Sequence, residues 1–482
     1  RAGTSVLPIW MAMLAISGFS QTPTQIQINS TVQRPAVRAF GMNVTEQNFW
    51  DAGQTHKNLV FRNPGFEPLL YQSVMRCVSG TATSCTDDTP WGVWPGGFWN
   101  GGQFELVSNG QTIRTGTISG YTAPSGGGSV YTFSTSGAAP VLGDLIILRK
   151  RFIGEPTNAS SGWWPGASGG ASITSETADL PPGTQGVQAI RLNALAAGSN
   201  VNLISYFDSS AGRSYVQLNG AYRIQFKAKG VGGSNQIRVS AARNVQFVNR
   251  TVSTTSQWQD YSVDFTASEN GSSVGTVNLT FNVPSGSAVL LDEVSLTKTD
   301  GDPSNRTSFR DPVVNALRQL RPGALRYWAE HLGESLDNQI ASPFGRQRAG
   351  YRMSYNNRED VNYGLHEFLE LCELLGADPW IVVPTVYSPQ EASNLIEYLA
   401  GSPGTPYGSR RASRGHSAPW TDVFSQIHLE YGNEAWNSGF RGGTIEYPNA
   451  YGPRAQTIFG AMRGSASYQA AKFDLVLGGQ AV

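Results

Sequence analysis

The order of two local patterns along the chain constrains its fold more than any other feature. From about Asn58 to Leu296, short runs rich in Val, Ile, Tyr, Phe and Thr alternate between apolar and polar residues and are separated by Gly, Ser and Asn turns. This is the pattern of sandwich strands that bury one face. After Asp302, helical patterns alternate with short apolar runs, which is typical of a parallel α/β domain. The 482 residues therefore predict an all-β region followed by an α/β region.

Individual elements follow from the same patterns. In the all-β region the clearest strands are Tyr222–Ala228, Gln236–Ser240, Trp258–Phe265, Val277–Val283 and Ala288–Leu296. In the α/β region we predict helices at Pro312–Leu320, Val361–Leu375, Pro389–Leu399, Ala455–Met462 and Ala466–Ala471. We predict strands there at Ala324–Trp328, Trp380–Val383, Ile427–Tyr431 and Phe473–Leu477.

One earlier segment has the pattern of the α/β region. Val37–Asn43 reads as a buried strand. If it is the first strand of the α/β domain, the β region is inserted after it, and surface loops tolerate such insertions. Within the β region, residues 69–157 hold Gly and Trp clusters with hairpin-like segments, and we interpret them as an excursion of the β module.

The amino-acid composition limits the classes of molecule that this chain can bind. Lys and Arg together number 35, as do Asp and Glu, so the chain has no basic field for nucleic acid. A neutral partner such as a polysaccharide or oligosaccharide fits this balance. Charged residues make up 15% and aromatic residues 11%, which suits extracellular β-rich proteins and equally suits a plain β-sandwich core.

The N-terminus and the cysteines both favour secretion. Arg1 precedes an apolar run, Val6–Phe19, that is shorter than the roughly 20 residues of a membrane span. Residues 1–20 are therefore predicted to be a signal peptide, with a buried helix as the alternative. Cys77 and Cys85 lie close together in a Gly/Ser/Thr-rich segment, where a disulfide is reasonable for a secreted protein. Cys372 lies in an amphipathic helix pattern and is expected to be a buried free thiol.

The strongest local signal for chemistry is the segment Ile427–Asn437, IHLEYGNEAWN. An apolar strand runs into Gly432, and Glu434 then stands at the carboxyl end of a parallel strand, where barrel enzymes carry their catalytic groups. Glycosidases need a carboxylic acid to protonate the leaving oxygen and a second carboxylate opposite. Trp436 can supply an apolar wall that raises the pKa of such an acid. The alternative is a first-turn helix residue, favoured there by the helix dipole.

This segment resembles the acid/base strand of retaining glycosidases with TIM barrels, especially α-L-arabinofuranosidases. Further segments similar to that family are Phe309–Trp328, Gly364–Ala377, Trp380–Val383 and Glu391–Ala400. The resemblance extends from about Ser308 to Trp436, with Val37–Asn43 as a weaker first strand. It implies that Glu434 is the general acid/base and that Asn433 contacts the sugar 2-hydroxyl.

The sequence also departs from that family. Trp328–Glu330 stands where such enzymes usually have a Pro-Gly-Gly-like turn. Arg326 and Glu330 either line the mouth of the site or form a structural ion pair. About five barrel strands are predicted, whereas closure requires eight, and the family's nucleophilic Glu lies on the seventh. No nucleophile is carried over, since the nearest downstream carboxylates, Glu446 and Asp474, follow no clear strand end. The chain by itself is therefore expected to be inactive.

The β region resembles the jelly-roll carbohydrate-binding modules of plant-wall hydrolases. The similar segments are Asn58–Glu67, Gly220–Lys229, Trp258–Phe265 and Leu290–Leu296. The resemblance implies that Glu67 and Asp292 bind a structural Ca²⁺, because that ion prefers carboxylate oxygens. The alternative is that both residues simply end strands at the surface.

Aromatic side chains in the β module are candidates for a sugar platform, because sugar faces are apolar C–H surfaces. The candidates are Trp163, Trp164, Tyr206 and Tyr215. Each can equally be a core or rim residue, since strands use aromatic residues structurally.

Together these observations predict a multidomain α/β plus all-β protein, a partial (β/α)8 TIM barrel with an inserted jelly-roll β-sandwich. The predicted divisions are a signal peptide (1–20), a lead-in with the first barrel strand (21–57), the carbohydrate-binding sandwich (58–298) and a partial glycosidase barrel with about strands two to five (299–482). The resemblance implies a glycoside hydrolase of the arabinofuranosidase type that acts on plant-wall polysaccharide by retaining double displacement, with Glu434 as general acid/base and no cofactor for catalysis. The alternative is a non-catalytic polysaccharide-binding protein. We expect the mature protein to be extracellular or periplasmic and to bind no membrane.

Overall fold

The first described strand, β1 (Gly41–Asn43), pairs in parallel with a strand that lies far along the chain, at Ala324–Tyr327. The structure, a computed structural model, describes residues 41–44, 55–88, 94–123, 128–154, 162–207, 216–327, 335–352, 357–359, 363–437 and 443–479. The predicted signal peptide and the first four residues of the predicted strand Val37–Asn43 lie outside these ranges. Residues 41–43 confirm a strand in the carboxyl-terminal part of that segment, but Gly41 and Asn43 are exposed, so the prediction that it is buried is wrong for these residues.

Residues 69–152 form a small closed barrel. Its strands are β2 (Leu69–Thr81), β3 (Ser84–Asp87), β4 (Gln103–Ser108), β5 (Gln111–Thr122), β6 (Val130–Phe133) and β7 (Leu145–Phe152). They are ordered β2-β3-β6-β5-β4-β7, and β7 pairs back with β2, so the antiparallel sheet closes on itself. The predicted excursion is therefore a barrel with its own interior.

The interior of this small barrel is aromatic. Trp94, Trp99, Phe104 and Tyr131 are buried there, and the sheet packs around them. A disulfide joins Cys77 on β2 to Cys85 on β3 within the same cluster, which confirms the predicted pair. Because β7 pairs back with β2, the described strands of the barrel leave no open sheet edge, which protects such strands from pairing with other chains.

Residues 163–298 form an antiparallel β-sandwich. Its strands are β8 (Trp163–Ser168), β9 (Ser172–Glu176), β10 (Ala189–Ala194), β11 (Asn200–Phe207), β12 (Asn219–Gly233), β13 (Gln236–Ala242), β14 (Gln246–Ser253), β15 (Gln259–Ser268), β16 (Val277–Val283) and β17 (Ser287–Lys298). One sheet has the order β15-β12-β17-β10-β9 and the other β14-β13-β16-β11-β8. Alternate residues of both sheets meet in one apolar core, as the alternating sequence pattern predicts.

The α/β region follows. Its elements are α1 (Asp311–Leu320), β18 (Ala324–Tyr327), α2 (Leu336–Gln339), β19 (Arg348–Arg352), β20 (Asn357–Glu359), α3 (Leu365–Leu375), β21 (Asp378–Val383), α4 (Pro389–Ala400), α5 (Pro406–Ser413), α6 (Trp420–Val423), β22 (Ile427–Tyr431), α7 (Pro448–Gly464) and β23 (Phe473–Leu477). The parallel sheet has the order β1-β18-β21-β22-β23, so its strands lie side by side in chain order. The carboxyl ends of these strands therefore share one edge. None of the described helices is long and apolar enough to cross a membrane.

One sequence prediction in this region was wrong, and one helix was not predicted. Ala466–Ala471 is not helical: α7 ends at Gly464, and two turns follow, which bring Tyr468 to stack on Phe473 at 5.6 Å. The Gly/Arg-rich segment after α4, where the sequence patterns predict no helix, contains α5. The Thr405 side chain caps that helix by accepting from the Gly408 amide, and Pro406 occupies its first turn. Tertiary packing therefore accounts for the turns after α7, and local capping accounts for the start of α5.

The small barrel packs against the carboxyl-end side of the parallel sheet. Its outward side chains Val74, Val107, Leu145 and Ile147 form an apolar cluster with residues that follow β21 and β22, namely Val386, Ile445 and Ala450. The segment between β18 and α3 contributes β19, which pairs in parallel with β2. Strand pairing and apolar burial together hold the barrel beside the strand ends.

A buried arginine strengthens this contact. Arg454 on α7 has no exposed side-chain surface and donates to Glu105 of the small barrel at 2.7 Å. It also donates to the carbonyl oxygen of Gly110, at the tip of the β4–β5 hairpin, at 3.3 Å. Gly110 has φ +77°, and a Cβ there would lie 2.3 Å from the backbone of Pro453. The hairpin can therefore approach α7 only because this position is Gly.

Candidate active site and carbohydrate-binding surfaces

Glu434 lies just beyond the carboxyl end of β22 and is exposed. Gly432, with φ +72°, turns the chain after the strand, and a Cβ there would lie 2.8 Å from Thr385 Cγ2. Glu434 itself has φ +44°, a left-handed conformation that non-glycine residues adopt rarely and that is common at functional sites. Asn437 Nδ2 donates to Glu434 Oε2 at 3.0 Å. The carboxylate thus stands at the shared edge of the parallel strands.

A half-buried ion pair underlies this position. On β22, Ile427, Leu429 and Tyr431 pack among the helices, so His428 and Glu430 face the other way. Arg326 on β18 donates to Glu430 Oε2 from Nε at 2.9 Å and from Nη2 at 2.7 Å. Three strands are therefore tied together just below the candidate catalytic residue, because Trp380 Nε1 on β21 donates to the same oxygen at 2.7 Å.

Asn433 is oriented by this ion pair. Arg326 Nη2 donates to Asn433 Oδ1 at 2.9 Å, which fixes the amide with its NH2 group on the other side. Asn433 is only 7% exposed, and its Nδ2 has no hydrogen-bond partner among the described residues. A buried donor without a partner is costly, so a ligand oxygen at this point would satisfy it.

Sequence reasoning did not identify Glu430 and Trp380 as site residues, nor the pair formed by His428 on β22 and Asp474 on β23. His428 Nδ1 lies 2.9 Å from Asp474 Oδ2. The period-two alternation in IHLEY could have indicated that His428 and Glu430 share a face. Arg326 was considered as a partner of Glu330; it pairs with Glu430, while Glu330 lies outside the described residues.

Trp436 is half-buried near the end of β23. Its ring lies 3.4 Å from the position that a Cβ on Gly478 would take. The Trp436 side chain therefore lies at the carboxyl end of β23. In the sequence Trp436 is two residues after Glu434.

The two neighbouring tryptophans of β8 point in opposite directions. Trp163 has no exposed surface: its ring packs on Phe66 at 4.8 Å, and its Nε1 donates to the Asn63 carbonyl oxygen at 2.9 Å. The expectation that Trp163 binds substrate is therefore wrong, because a ring buried in the sandwich core cannot stack on a sugar. Trp164 is 44% exposed and meets Tyr206 edge to face at 5.5 Å. Tyr215 lies outside the described residues.

Polar side chains continue the surface beside Trp164. On β11 and β16 the residues that alternate with the core are Asn200, Asn202, Ile204, Tyr206, Asn278, Thr280 and Asn282. Asn282 Nδ2 donates to the Oδ1 atoms of Asn200 at 2.7 Å and Asn202 at 2.9 Å. We call this outer face of the sheet, from Trp164 on β8 to Asn282 on β16, the amide face.

Glu67 and Asp292, the expected Ca²⁺ ligands, are both buried, which excludes the alternative that they end strands at the surface. Burial raises the pKa of Glu67 to about 8, although the backbone amide of Val187 donates to its carboxylate at 3.1 Å. Burial also raises the pKa of Asp292 well above its ordinary range, and the charge of Glu67 adds to this. Asp292 Oδ2 and the nearby Gln188 Oε1 have no partner among the described residues.

These oxygens fit a hard cation. Two buried carboxylates whose pKa values are both raised by burial, with oxygens beside them that lack partners among the described residues, are stabilised when a divalent ion replaces the missing protons. Gln188 was not predicted from the sequence as a ligand. Its side-chain amide is held in place because its Nε2 donates to the Phe66 carbonyl oxygen. Among the described residues, no group of three or more His, Cys, Asp or Glu side chains could hold a metal ion, so the remaining ligands would be amide and backbone oxygens.

Comparison with known proteins concerns mainly the α/β region. Residues 304–473 match the sequence family described as alpha-L-arabinofuranosidase 1 domain. An intracellular exo-alpha-L-arabinofuranosidase of Bacteroides ovatus is 27% identical over 156 residues, which cover 29% of this chain and 27% of that protein. An extracellular exo-alpha-L-arabinofuranosidase of Streptomyces chartreusis is 25% identical over 284 residues, covering 50% of this chain and 32% of that protein.

A solved structure shares the fold more broadly. An arabinose-bound GH51 α-L-arabinofuranosidase superposes with a TM-score of 0.50 at 15% identity, over 67% of this chain and 53% of that one. The chain thus spans about a third or less of the length of the curated relatives above. The matched segment, residues 304–473, contains Arg326, Glu430, Asn433 and Glu434 and is similar to the α-L-arabinofuranosidase domain.

Proposed function

We propose that the protein carrying this chain is a glycoside hydrolase of the α-L-arabinofuranosidase type, acting on arabinose-containing plant-wall polysaccharide. One observation carries the proposal. Glu434 is exposed at the carboxyl end of β22, next to Asn433, whose amide is oriented by Arg326 and keeps a free buried donor. The family match over residues 304–473 supports it, because it includes both residues.

In this proposal the five parallel strands are part of a (β/α)8 barrel, and Glu434 is the general acid/base. In the first step a carboxylate nucleophile forms a bond to the anomeric carbon while Glu434 gives its proton to the departing oxygen. In the second step Glu434 takes a proton from water, whose oxygen displaces the enzyme carboxylate. Asn433 Nδ2 would donate to a sugar hydroxyl. No described residue is assigned as the nucleophile.

The substrate class is tested with aryl glycosides. We expect the full-length protein to hydrolyse aryl α-L-arabinofuranoside much faster than aryl β-xyloside or aryl β-glucoside, because residues 304–473 match the alpha-L-arabinofuranosidase 1 domain. The measurement is kcat/KM for each substrate. A preference for a pyranoside, or no hydrolysis of any of them by the full-length protein, would contradict the proposal.

A second function is favoured by the amide face of the sandwich. We propose that this face binds polysaccharide, with Trp164 as the stacking ring and the amides of Asn200, Asn202 and Asn282 as hydrogen-bonding groups. Exposed aromatic rings beside fixed amides suit the apolar faces and hydroxyls of sugars. Binding and hydrolysis would then reside in different domains.

Replacing Trp164 by Ala is expected to weaken retention on arabinoxylan in affinity electrophoresis about tenfold, because a stacking ring is a typical binding hot spot. Hydrolysis of a small aryl substrate should not change. The matched control is Trp258→Ala, which removes a half-buried ring from the sandwich at the start of β15, in the other sheet. Equal retention of the Trp164 variant and the unmodified protein would exclude the amide face as the binding surface.

We also propose that Glu67, Asp292 and Gln188 hold a structural Ca²⁺ in the sandwich. Bound there, the ion would supply positive charge that offsets the two buried carboxylates.

Finally, we propose that the protein is secreted to an extracellular or periplasmic space. The Cys77–Cys85 disulfide supports this, because such bonds persist in oxidising compartments. Cell fractionation of the native host tests it, and recovery of the protein only from the cytoplasm would contradict it.

A further inference from the structure

A large cavity lies where the small barrel meets the α/β region. Its volume is about 860 Å³, within the range of sites that bind small molecules. Its walls come from β2, β4 and β7 of the small barrel, from the segment before β10, and from residues near α2, α4 and α5. Six amide side chains line it: Gln72, Asn100, Gln103, Gln185, Asn338 and Gln347.

The amide of Gln72 lacks hydrogen bonds. Gln72 is 1% exposed, and neither its Oε1 nor its Nε2 has a partner among the described residues. It lies on the outward face of β2 opposite Arg149 of β7, between Leu70 and Val74. A buried side chain with both a donor and an acceptor unused is rare in folded proteins, and it matches a ligand that offers both.

The charged groups of the cavity wall are already engaged. Arg149 donates to Glu391 at 2.5 Å and Arg410 to Asp337 at 2.5 Å. Lys150 Nζ donates to the Phe98 carbonyl oxygen at 2.6 Å. Arg151 Nε donates to Gln347 Oε1 at 2.9 Å, so Lys150 and Arg151 are held by uncharged oxygens.

Asn338 and Gln185 also have hydrogen bonds, which leaves the amide of Gln72 as the buried amide of this wall that lacks partners among the described residues. An amide that offers both a donor and an acceptor matches the hydroxyl groups of a sugar, which can accept and donate in the same way.

The cavity and Glu434 lie on the same side of the parallel sheet. Asn338 follows β18 in the chain, Glu391 follows β21, and Glu434 follows β22. The carboxyl ends of these parallel strands share one edge. A polysaccharide that reaches Glu434 therefore approaches the face on which the small barrel sits.

We propose that this cavity is a non-catalytic subsite for a neutral oligosaccharide segment, with Gln72 as its central hydrogen-bonding residue. This inference rests on the proposed function, since the segment would belong to the polysaccharide that is cleaved. The small barrel then supplies one wall of a substrate-binding site in addition to its structural contacts with the α/β region.

The test uses the full-length protein with Trp164→Ala and Glu434→Gln, so that the amide face and hydrolysis do not interfere. Calorimetry measures the Kd for neutral xylo- and arabino-oligosaccharides. Adding Gln72→Met is expected to weaken binding about tenfold, because the amide's hydrogen bonds are lost. In the protein with Glu434 intact, Gln72→Met should raise KM for arabinoxylan and leave kcat/KM for an aryl arabinofuranoside unchanged.

The control is Gln217→Met, a similar change at a Gln whose Oε1 is also without a partner but which lies in the sandwich. Should Gln72→Met fold poorly, the exposed Gln103→Leu provides the second variant and is expected to weaken binding in the same direction. A higher Tm for Gln72→Met with unchanged Kd and KM would overturn the proposal, since the amide would then be only an unsatisfied buried group. Absence of aryl-glycoside hydrolysis alone would contradict the proposed function, and calorimetry would still decide the subsite.

Discussion

Replacing Glu434 by Gln is expected to lower kcat/KM for arabinoxylan about 10²–10⁴-fold in the full-length protein, the usual contribution of a general acid/base. Gln keeps the size of the side chain and can still accept from Asn437, so the turn after β22 should persist. It cannot give a proton to the leaving sugar oxygen. The fall in activity should therefore appear in kcat with little change in Tm.

Substrates with different leaving groups distinguish acid catalysis by Glu434 from a role of Glu434 in substrate binding. An aryl arabinofuranoside with a very acidic phenol needs little protonation, so its first step should be almost unaffected by Glu434→Gln. The second step still needs a base, and azide, which attacks without one, should restore turnover and yield the arabinosyl azide. Loss of activity that is equal for all leaving groups and unaffected by azide would assign Glu434 to substrate binding.

The matched control is Glu446→Gln. Glu446 is a carboxylate of the same α/β region, in the segment that leads into α7, and follows no strand end. Glu446 is half-buried, and burial raises its pKa, so Gln keeps its size and its neutral form there. Its replacement should leave kcat/KM within about twofold, because the side chain is not placed at the end of a parallel strand. Comparable losses in the two variants would indicate a general effect of removing negative charge near the strand ends.

The sequence predicted the position of Glu434 because local signals suffice for it. The alternation in IHLEY sets the bounds of β22, and Gly432 ends the strand through a positive φ that few other residues tolerate. Asn433 and Glu434 then follow by chain connectivity alone. The partner of Arg326 could not be predicted in this way. Glu430 is 104 positions away, and the contact depends on the register of three parallel strands.

The tryptophans of β8 show a second limit on what can be predicted from the sequence. Adjacent strand residues must point to opposite faces, so the pattern predicts that one of Trp163 and Trp164 is buried. Which one is buried depends on how β8 pairs with β11, since Trp164 lies opposite Ile204 on the outer face. Closure of the small barrel likewise depends on β7 pairing with β2, about seventy residues earlier, and no local pattern encodes it.

Removal of Ca²⁺ is expected to lower the free energy of unfolding of the sandwich by about 3 kcal/mol at pH 8, the effect of a ligand present at about 100 times its Kd. For a domain of this size the midpoint of thermal unfolding should fall by about 5–10 °C. The physical reason is the burial of Glu67 and Asp292, which without a cation must either take up protons or stay charged in an apolar interior. Differential scanning calorimetry with Ca²⁺ and with a chelator measures the change.

The pH dependence follows from the raised pKa of Glu67, about 8 without the ion. A carboxyl whose pKa is raised on folding contributes stability that is fully present below its ordinary pKa of 4.5 and is lost as pH rises through about 8. The metal-free protein should therefore lose stability between about pH 5 and pH 8. Ca²⁺ binds the ionised carboxylates, so its stabilising effect should grow over the same interval.

Glu67→Gln with Asp292→Asn should abolish both the Ca²⁺ effect and the pH dependence, because neither amide needs a proton or a cation to be neutral. Asp264→Asn is the matched control: this carboxylate is exposed and paired with Arg223, so its replacement should leave the Ca²⁺ effect unchanged. Mg²⁺ should substitute poorly, since it demands a smaller octahedral site and loses water reluctantly. A chelator without effect at pH 8 would mean that the two buried carboxylates are held in their protonated form, with no ion between them.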